Sequence, residues 1–570
     1  VLRFLLSSAL VGVLSFSSLD VAQAQSAAGA YLAGREAAVN SDFKQAAAYY
    51  SKALARDAQN AEFMDGAVVS LLSLGQLDRA LPIAKLMEDA DIRAQAAHMV
   101  VIADLVKRED FATLAARDAE TLGIGPLVDG LLAAWTKVGL GDMQGALVSF
   151  DALMDEPSFG GFARYQKAMA LASTGDFAAA EAVYASDDAG ALNIMRRGIM
   201  ARAEILSQLD RNEDALQNLR LAFGAASDPE LARLVEGLEA GKTMPFTHVT
   251  SARDGHAEVF HTLADVLRGE AGANYTLLYA RLAQYIRPDH IDSALLNASL
   301  LEELGQFDLA IAAYESVPDG HAATHAAQLG RAAALRRSGK PDAAIEALQQ
   351  MSRRFPDMAP VFSTLGDVYR QQERYSDAVG AYDRTLELME PDARGRWFSH
   401  YARAIAHERL DNWDMAEADF RQALALNPDQ PQVLNYLGYS MVEKQINLDE
   451  ALGMIEKAVA KEPDSGYIVD SLGWVLYRLG RYGEAVAHME RAVELMPVDP
   501  VVNDHLGDVY WAVGRTREAE FQWSRALSFA EYGTASEDVK PDRIRRKLEV
   551  GLDVVLEEEG ADPLKVADDN

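Results

Sequence analysis

DSLGWVLYRLGRYGEAVAHMERAVELMPVDP, residues 470–500, decides how the rest of the chain is read. The stretch before it, LNYLGYSMVEKQINLDEALGMIEKAVAKEP (434–463), and the one after it, NDHLGDVYWAVGRTREAEFQWSRAL (503–527), are variants of the same pattern. Aligned on the alanine that opens the second apolar run, Ala451, Ala485 and Ala519 fall 34 residues apart. A fixed period of that length marks an array of helix pairs, each unable to bury its apolar face without a neighbour.

Outward from this core the pattern repeats over most of the chain. A small residue sits midway along the first helix (A) of each pair. The second helix (B) carries an alanine near its start, a large apolar residue four later and a small one three beyond. Small residues let antiparallel helices approach, while large ones fill the groove toward the next pair. Gly34, Ala46, Tyr50 and Ala53 hold these places first, followed by Ala80, a weaker copy at Leu114, then Ala146 with Phe150, Ala180 with Tyr184, and Ala215 with Leu219. The frame breaks and resumes at Ala310 with Tyr314, Ala344 with Leu348, Ala378 with Tyr382 and Ala416 with Phe420. Gly438, Gly473 and Gly507 then head the last three copies, giving about thirteen repeats in all.

The combination Leu-Gly-x-x-x-Tyr, Tyr-x-x-Ala, Ala and Pro resembles the tetratricopeptide repeat family. That resemblance implies an all-α solenoid, a right-handed superhelix of antiparallel helix pairs, with protein binding as its work. Residues 434–527 are similar to exported repeat proteins of Gram-negative bacteria, among them the outer-membrane lipoprotein partner of the carboxy-terminal processing protease. What this implies is a periplasmic adaptor that presents proteins to an envelope protease. The chain departs from that group in having no lipobox cysteine.

The expected organisation is a signal peptide (1–24), an N-terminal array (25–230), a degenerate joint (231–288), a C-terminal array (289–530), a capping helix (541–560) and a disordered acidic tail (561–570). Arg3, the apolar run Phe4–Leu14 and Ala22-Gln23-Ala24 follow the charged, apolar, small-x-small order of a cleaved export signal. An uncleaved anchor is the alternative, but the run is shorter than the ~20 residues a bilayer needs. No later segment reads as membrane-spanning. Within the joint, GKTMPFTHVTSARDG (241–255) lacks helical period, with helices expected near His256–Arg268 and Asn274–Ile286. PDRIRRKLEVGLDVVLEEEG (541–560) has proline at its start and glycine at its end, as a helix covering the last repeat should.

Composition narrows the function. With 570 residues, 49% of them hydrophobic, the chain can bury several cores. A net charge of −32 repels phosphate backbones, which disfavours nucleic acid. The absence of cysteine excludes disulfides, thiolate metal sites and cysteine catalysis.

Candidate chemistry is sparse. Ser41-Asp-Phe-Lys44 fits S-x-x-K but falls in an inter-helix turn, where Ser or Asp caps a helix. His321 and His325 have the i, i+4 spacing of a zinc pair, with Asp319 nearby, yet a site needs three or four ligands. Gly123-Ile-Gly125 lacks the third glycine of a dinucleotide loop. An enzyme could only be built in the 241–255 joint, from His248, Asp254 and His256. No cofactor or metal is expected, and the inventory reads as non-catalytic.

The binding expectation rests on the A helices. In the family frame, with the small residue at position 8, positions 2, 5, 9 and 12 face inward. They select Asn435 and Tyr439, then Tyr467, Asp470, Trp474 and Tyr477 with Arg478 adjacent, then Asp504, Asp508 and Trp511. Tyr, Trp and Arg dominate binding hot spots. The same aromatics could equally pack as core against neighbouring A helices or beneath the C-terminal helix. Position 5 reads Ser363, Tyr401, Asn435, Asp470 and Asp504, with none of the lysines that clamp acidic tails in the family. The expected partner is a basic or apolar protein segment, an envelope protease or its substrates. Glycan binding in a wall-assembly or export complex is the rival.

Overall fold

The computed structural model describes residues 27–156, 158–186, 195–224, 229–532, 539–561 and 563–564. The expected signal peptide and all but the first few residues of the acidic tail lie outside them. The regular structure of the described residues is all helix, with no strand, as expected for the repeat architecture. They form two compact units that divide between Ala347 and Leu348.

Local chemistry sets the period. In the C-terminal unit an A helix of 13 residues, such as Pro431–Glu443, is followed by a B helix of 14, such as Leu448–Lys461. Between them the chain reverses through a left-handed residue. It is glycine at Gly75, Gly175, Gly305 and Gly480, but Ser41, Asp210, Glu373 and Asp411 elsewhere. At Gly75 the amide donates to Leu72 O at 2.8 Å and that of Gln76 to Leu71 O at 2.8 Å, which satisfies the last carbonyls of the helix. Asp42, Asp142 and Asp176 then cap the following B helices. Ser41-Asp-Phe-Lys44 is therefore a turn and a cap.

Every marker alanine from Ala46 to Ala519 is fully buried, at 0% exposure. The weak copy at Leu114 is weak in the structure too, its B helix reduced to Phe111–Ala115. Gly366 shows why position 8 is small, since a Cβ there would stand 2.6 Å from the Tyr382 ring.

The 231–288 segment departs from expectation. It lies inside the first unit and does not join two arrays. Pro229–Glu239 is a helix on the preceding pair, after which an extended strap crosses the Arg196–Gln208 helix. The strap is held by Met244 N to Ser207 Oγ (2.8 Å) and Thr247 N to Glu204 (2.8 Å). Two helices follow, Ala252–Leu267 and Ala273–Ile286. They pack against the A helices Ala61–Ser73, Gln95–Lys107, Pro126–Gly139 and Gly160–Ser173. The inner side of the N-terminal array is thus filled by its own chain, and we call this pair the plug.

The plug is fixed by packing and polar bonds. The Trp135 ring abuts Gly255 so closely that a Cβ has no room. Arg281 Nε donates to Ser73 O at 3.0 Å, and Tyr285 OH donates to Asp78 at 2.9 Å. At its heart Glu258, fully buried, accepts two bonds from Arg197 (3.0 and 2.7 Å), one from Tyr165 OH (2.7 Å) and one from His290 Nε2 (3.3 Å). Burial alone would raise its pKa, but Arg197 and His290 outweigh that and hold it well below the carboxylate range.

Candidate functional site

In the C-terminal unit the A helices Arg396–Arg409, Pro431–Glu443, Gly466–Arg478 and Pro500–Ala512 stack in order. The residue at position 5 of one meets that at position 6 of the next. Tyr401 lies 6.0 Å from Tyr436, ring to ring, and Asp470 meets His505 Nδ1 at 3.0 Å. After Pro500–Ala512 the capping segment supplies the partner. Lys547 Nζ bonds Asp504 (2.8 and 2.9 Å) and Asp508 (2.5 Å).

That cap is two helices, Pro541–Val550 and Leu552–Glu558, where one was expected. They break at Gly551, whose φ of +84° suits glycine and whose missing Cβ admits the Trp511 ring. Trp511 Nε1 donates to Asp553 at 2.9 Å. Asp508 also accepts from Trp523 Nε1 at 2.8 Å and lies 3.5 Å from Arg543.

Most of the residues expected to face a partner are therefore already engaged within the chain. Trp474 is buried, stacked between Tyr477 (4.8 Å) and His505 (4.0 Å), with Nε1 donating to Glu443 at 2.7 Å. Trp474 and Tyr477 belong to the core, and Trp511 lies under the cap. Asp470, Asp504 and Asp508, expected to attract a basic partner, instead neutralise His505, Lys547 and Arg543. Burial lowers the His505 pKa, but the three carboxylates outweigh it and hold the imidazole above its ordinary value. Burial likewise raises Asp504 despite Lys547. The physical reason is charge balance: carboxylates this deep need a cation, and the chain provides one.

What stays open lies one to three repeats earlier. Phe398 and Tyr467, both at position 2, are 41% and 46% exposed. Between them Tyr401, 6.3 Å from Phe398, packs on Tyr436, and Tyr436 on Phe420 at 5.3 Å. Burial raises the Tyr401 and Tyr436 hydroxyls to about 12, so both are neutral donors. Asn435 sits among these helices, 8% exposed, its buried Oδ1 without a hydrogen-bond partner among the described residues. Tyr439 is half-buried against the core, and Arg478 is partly exposed at the end of its helix. Phe398, Tyr401 and Tyr436 were absent from the expected set. Counting back from Ala404 by the same rule gives Phe398 and Tyr401, and Tyr436 follows from the pairing of positions 5 and 6.

The residues of the enzymatic alternative have separate structural partners. His248 Nδ1 meets Glu204 at 2.9 Å, Asp254 accepts from Thr250 Oγ1 at 2.6 Å, and His256 lies between Ala252 O and Thr136. His321 and His325 each bond nearby backbone, and the glycines of Gly123-Ile-Gly125 form a turn held by Asp129.

Comparison with known proteins identifies the repeats. Tetratricopeptide repeat models match residues 31–94, 161–186, 295–359, 357–429 and 469–497. A "TPR repeat-containing protein" of Pseudomonas aeruginosa is 28% identical over 197 residues, 34% of this chain and 32% of that protein. The match thus spans about a third of that relative's length. Among solved structures, a chain of the APC/C hetero-tetramer Cut9-Hcn1 is 16% identical, covering 93% of this chain and 97% of its own, with a TM-score of 0.39. A tetratricopeptide repeat protein from Parabacteroides merdae is 14% identical over 46% of this chain and 98% of its own, with a TM-score of 0.37.

Proposed function

We propose that this chain, which carries tetratricopeptide repeats in both units, is a non-catalytic scaffold holding an apolar segment of another protein on the C-terminal unit's aromatic face. One observation carries the reading. Phe398 and Tyr467 expose large rings at equivalent repeat positions, Phe398 beside Tyr401, while Trp474, Tyr477 and Trp511 are spent on core or cap. Large rings bring contact area with few rotamers to freeze, which is what binding anchors require.

The setting follows from the sequence resemblance: export to the periplasm and the role of adaptor to an envelope protease. Crosslinking in the cell envelope, followed by titration of the captured protein against wild type and Phe398→Ala/Tyr467→Ala, tests the reading. Loss of about two orders of magnitude in affinity is expected for two anchors. Affinity unchanged in the double variant removes this face. Binding to sugar arrays, lost in the same variant, would replace a protein partner with a glycan.

A further inference from the structure

The plug leaves one part of the N-terminal inner face uncovered. Where the plug helix Ala273–Ile286 begins, a groove of about 660 Å³ opens between it, the A helix Ala61–Ser73 and the start of Gln95–Lys107. Ligand-binding clefts span about 300–1,000 Å³. Its floor is apolar, made by Val69, Met87, Ile92 and Leu278. Tyr275 forms one wall, its hydroxyl bonded to Tyr279 OH (3.0 Å) and Gln95 (3.3 Å), which latches the plug to the array. Ser41 Oγ donates to the neighbouring Asn274 at 3.1 Å and ties the same wall to the first turn.

Two carboxylates, Glu62 and Asp65, line the opposite wall from adjacent places on one helix face. Among the described residues neither pairs with a cation, whereas the deep carboxylates of the C-terminal unit all do. Arg93, the one cation in the lining, forms no ion pair with either. Both carboxylates stand exposed at the groove, and partial desolvation there raises the Asp65 carboxyl above its ordinary value.

We propose that this groove is a second binding site, for a lysine- or arginine-bearing segment of a partner protein. The cation would lie between Asp65, Glu62 and the face of Tyr275, and flanking apolar side chains would rest on Val69 and Ile92, with Met87 directly beneath. An unpaired carboxylate beside an apolar floor gains from a partner that brings both a charge-assisted bond and apolar cover. This site lies in a different unit from the aromatic face and does not depend on it.

The test uses the full chain labelled with ¹³C-methyl methionine, the Met87 signal being assigned with Met87→Leu. Three acetylated, amidated peptides serve as probes: LKFKL, LQFQL and LEFEL. LKFKL should move the Met87 signal, with a midpoint about tenfold higher for Glu62→Gln/Asp65→Asn, the loss expected for a charge-assisted pair. LQFQL should bind at least that much more weakly, and LEFEL should leave Met87 still. Phe398→Ala/Tyr467→Ala should change nothing here, which separates this site from the aromatic face. Both carboxylates are exposed, so unchanged methionine signals elsewhere establish that the variant is folded. A Met87 signal unmoved by LKFKL, an equal midpoint for LQFQL or LEFEL, or an unchanged midpoint in the carboxylate variant overturns the proposal.

Discussion

The inner faces of the two units are finished in different ways. In the N-terminal unit the A helices meet a helix pair of the same chain, and the interface is sealed with buried polar groups around Glu258. In the C-terminal unit, among the described residues, a cap covers the last repeat, its Lys547 entering between two carboxylates, while the repeats before it keep exposed rings. Repeats of one period can thus serve as a closed body or an open face, according to what the intervening sequence lays on their inner side. That difference can be attacked at several points.

The largest effect is expected at the centre of the plug. Glu258→Ala leaves Arg197 buried beside Asp292 alone, and breaking one partner of such a buried network costs about 3–5 kcal/mol. Hydrogen exchange across 252–286 should accelerate by orders of magnitude while 431–461 is unchanged. Gly255→Val acts on the same interface by volume. Its added carbons meet the Trp135 ring, for about 1–3 kcal/mol of overpacking. A plug that tolerates valine without faster exchange is not seated as described.

pH separates the units by sign. His256, held at about 4, and His261, at about 3, are buried and neutral in the folded N-terminal unit, and burial and Arg197 also lower His290. Their unfolded forms take up protons near pH 6.5, so stability is present above that value and is lost as pH falls below it. His256 and His261 each cost about 0.7 kcal/mol between pH 7 and pH 6, and His290 adds a loss of the same sign. His505 has the opposite sign. Its raised pKa makes its contribution complete below about 6.5 and lost as pH rises through the folded value. His407, lowered by burial, opposes this in the Arg396–Arg409 helix. On going from pH 7 to pH 6, protection should fall across 252–267 and hold or rise across 500–512, after correction for intrinsic exchange. Parallel loss in both segments contradicts the assigned charge states.

The repeat frame was legible because it depends on a few residues that sequence displays directly. The buried alanines, the small position 8 and the B-helix aromatics are all local. The plug was not, although a signal existed. QAAHMVVIADLVK (95–107) is apolar on every face, and a helix of that kind must be covered all round. Only a segment from far along the chain could cover it, and no periodicity reveals which. The candidate site failed for a related reason. Counting positions finds the residues that face inward, but whether Trp474 meets solvent depends on His505 and Tyr477, and whether Asp504 is free depends on Lys547, 43 residues away.

The smallest expected change is the most discriminating test of the open face. Phe398 and Tyr467 contribute little to folding if their rings stand in solvent, so alanine at both should alter stability by within ~0.5 kcal/mol each. Trp474→Ala is the matched contrast, an aromatic from the same family of positions but buried in a stack, and should cost about 3–5 kcal/mol. Denaturant unfolding of the three variants measures the gap. A double variant as damaged as Trp474→Ala would mean that the exposed rings are structural, and the C-terminal unit would then be as closed as the N-terminal one. A near-silent double variant that also loses its partner leaves recognition as the reason those two rings are kept in water.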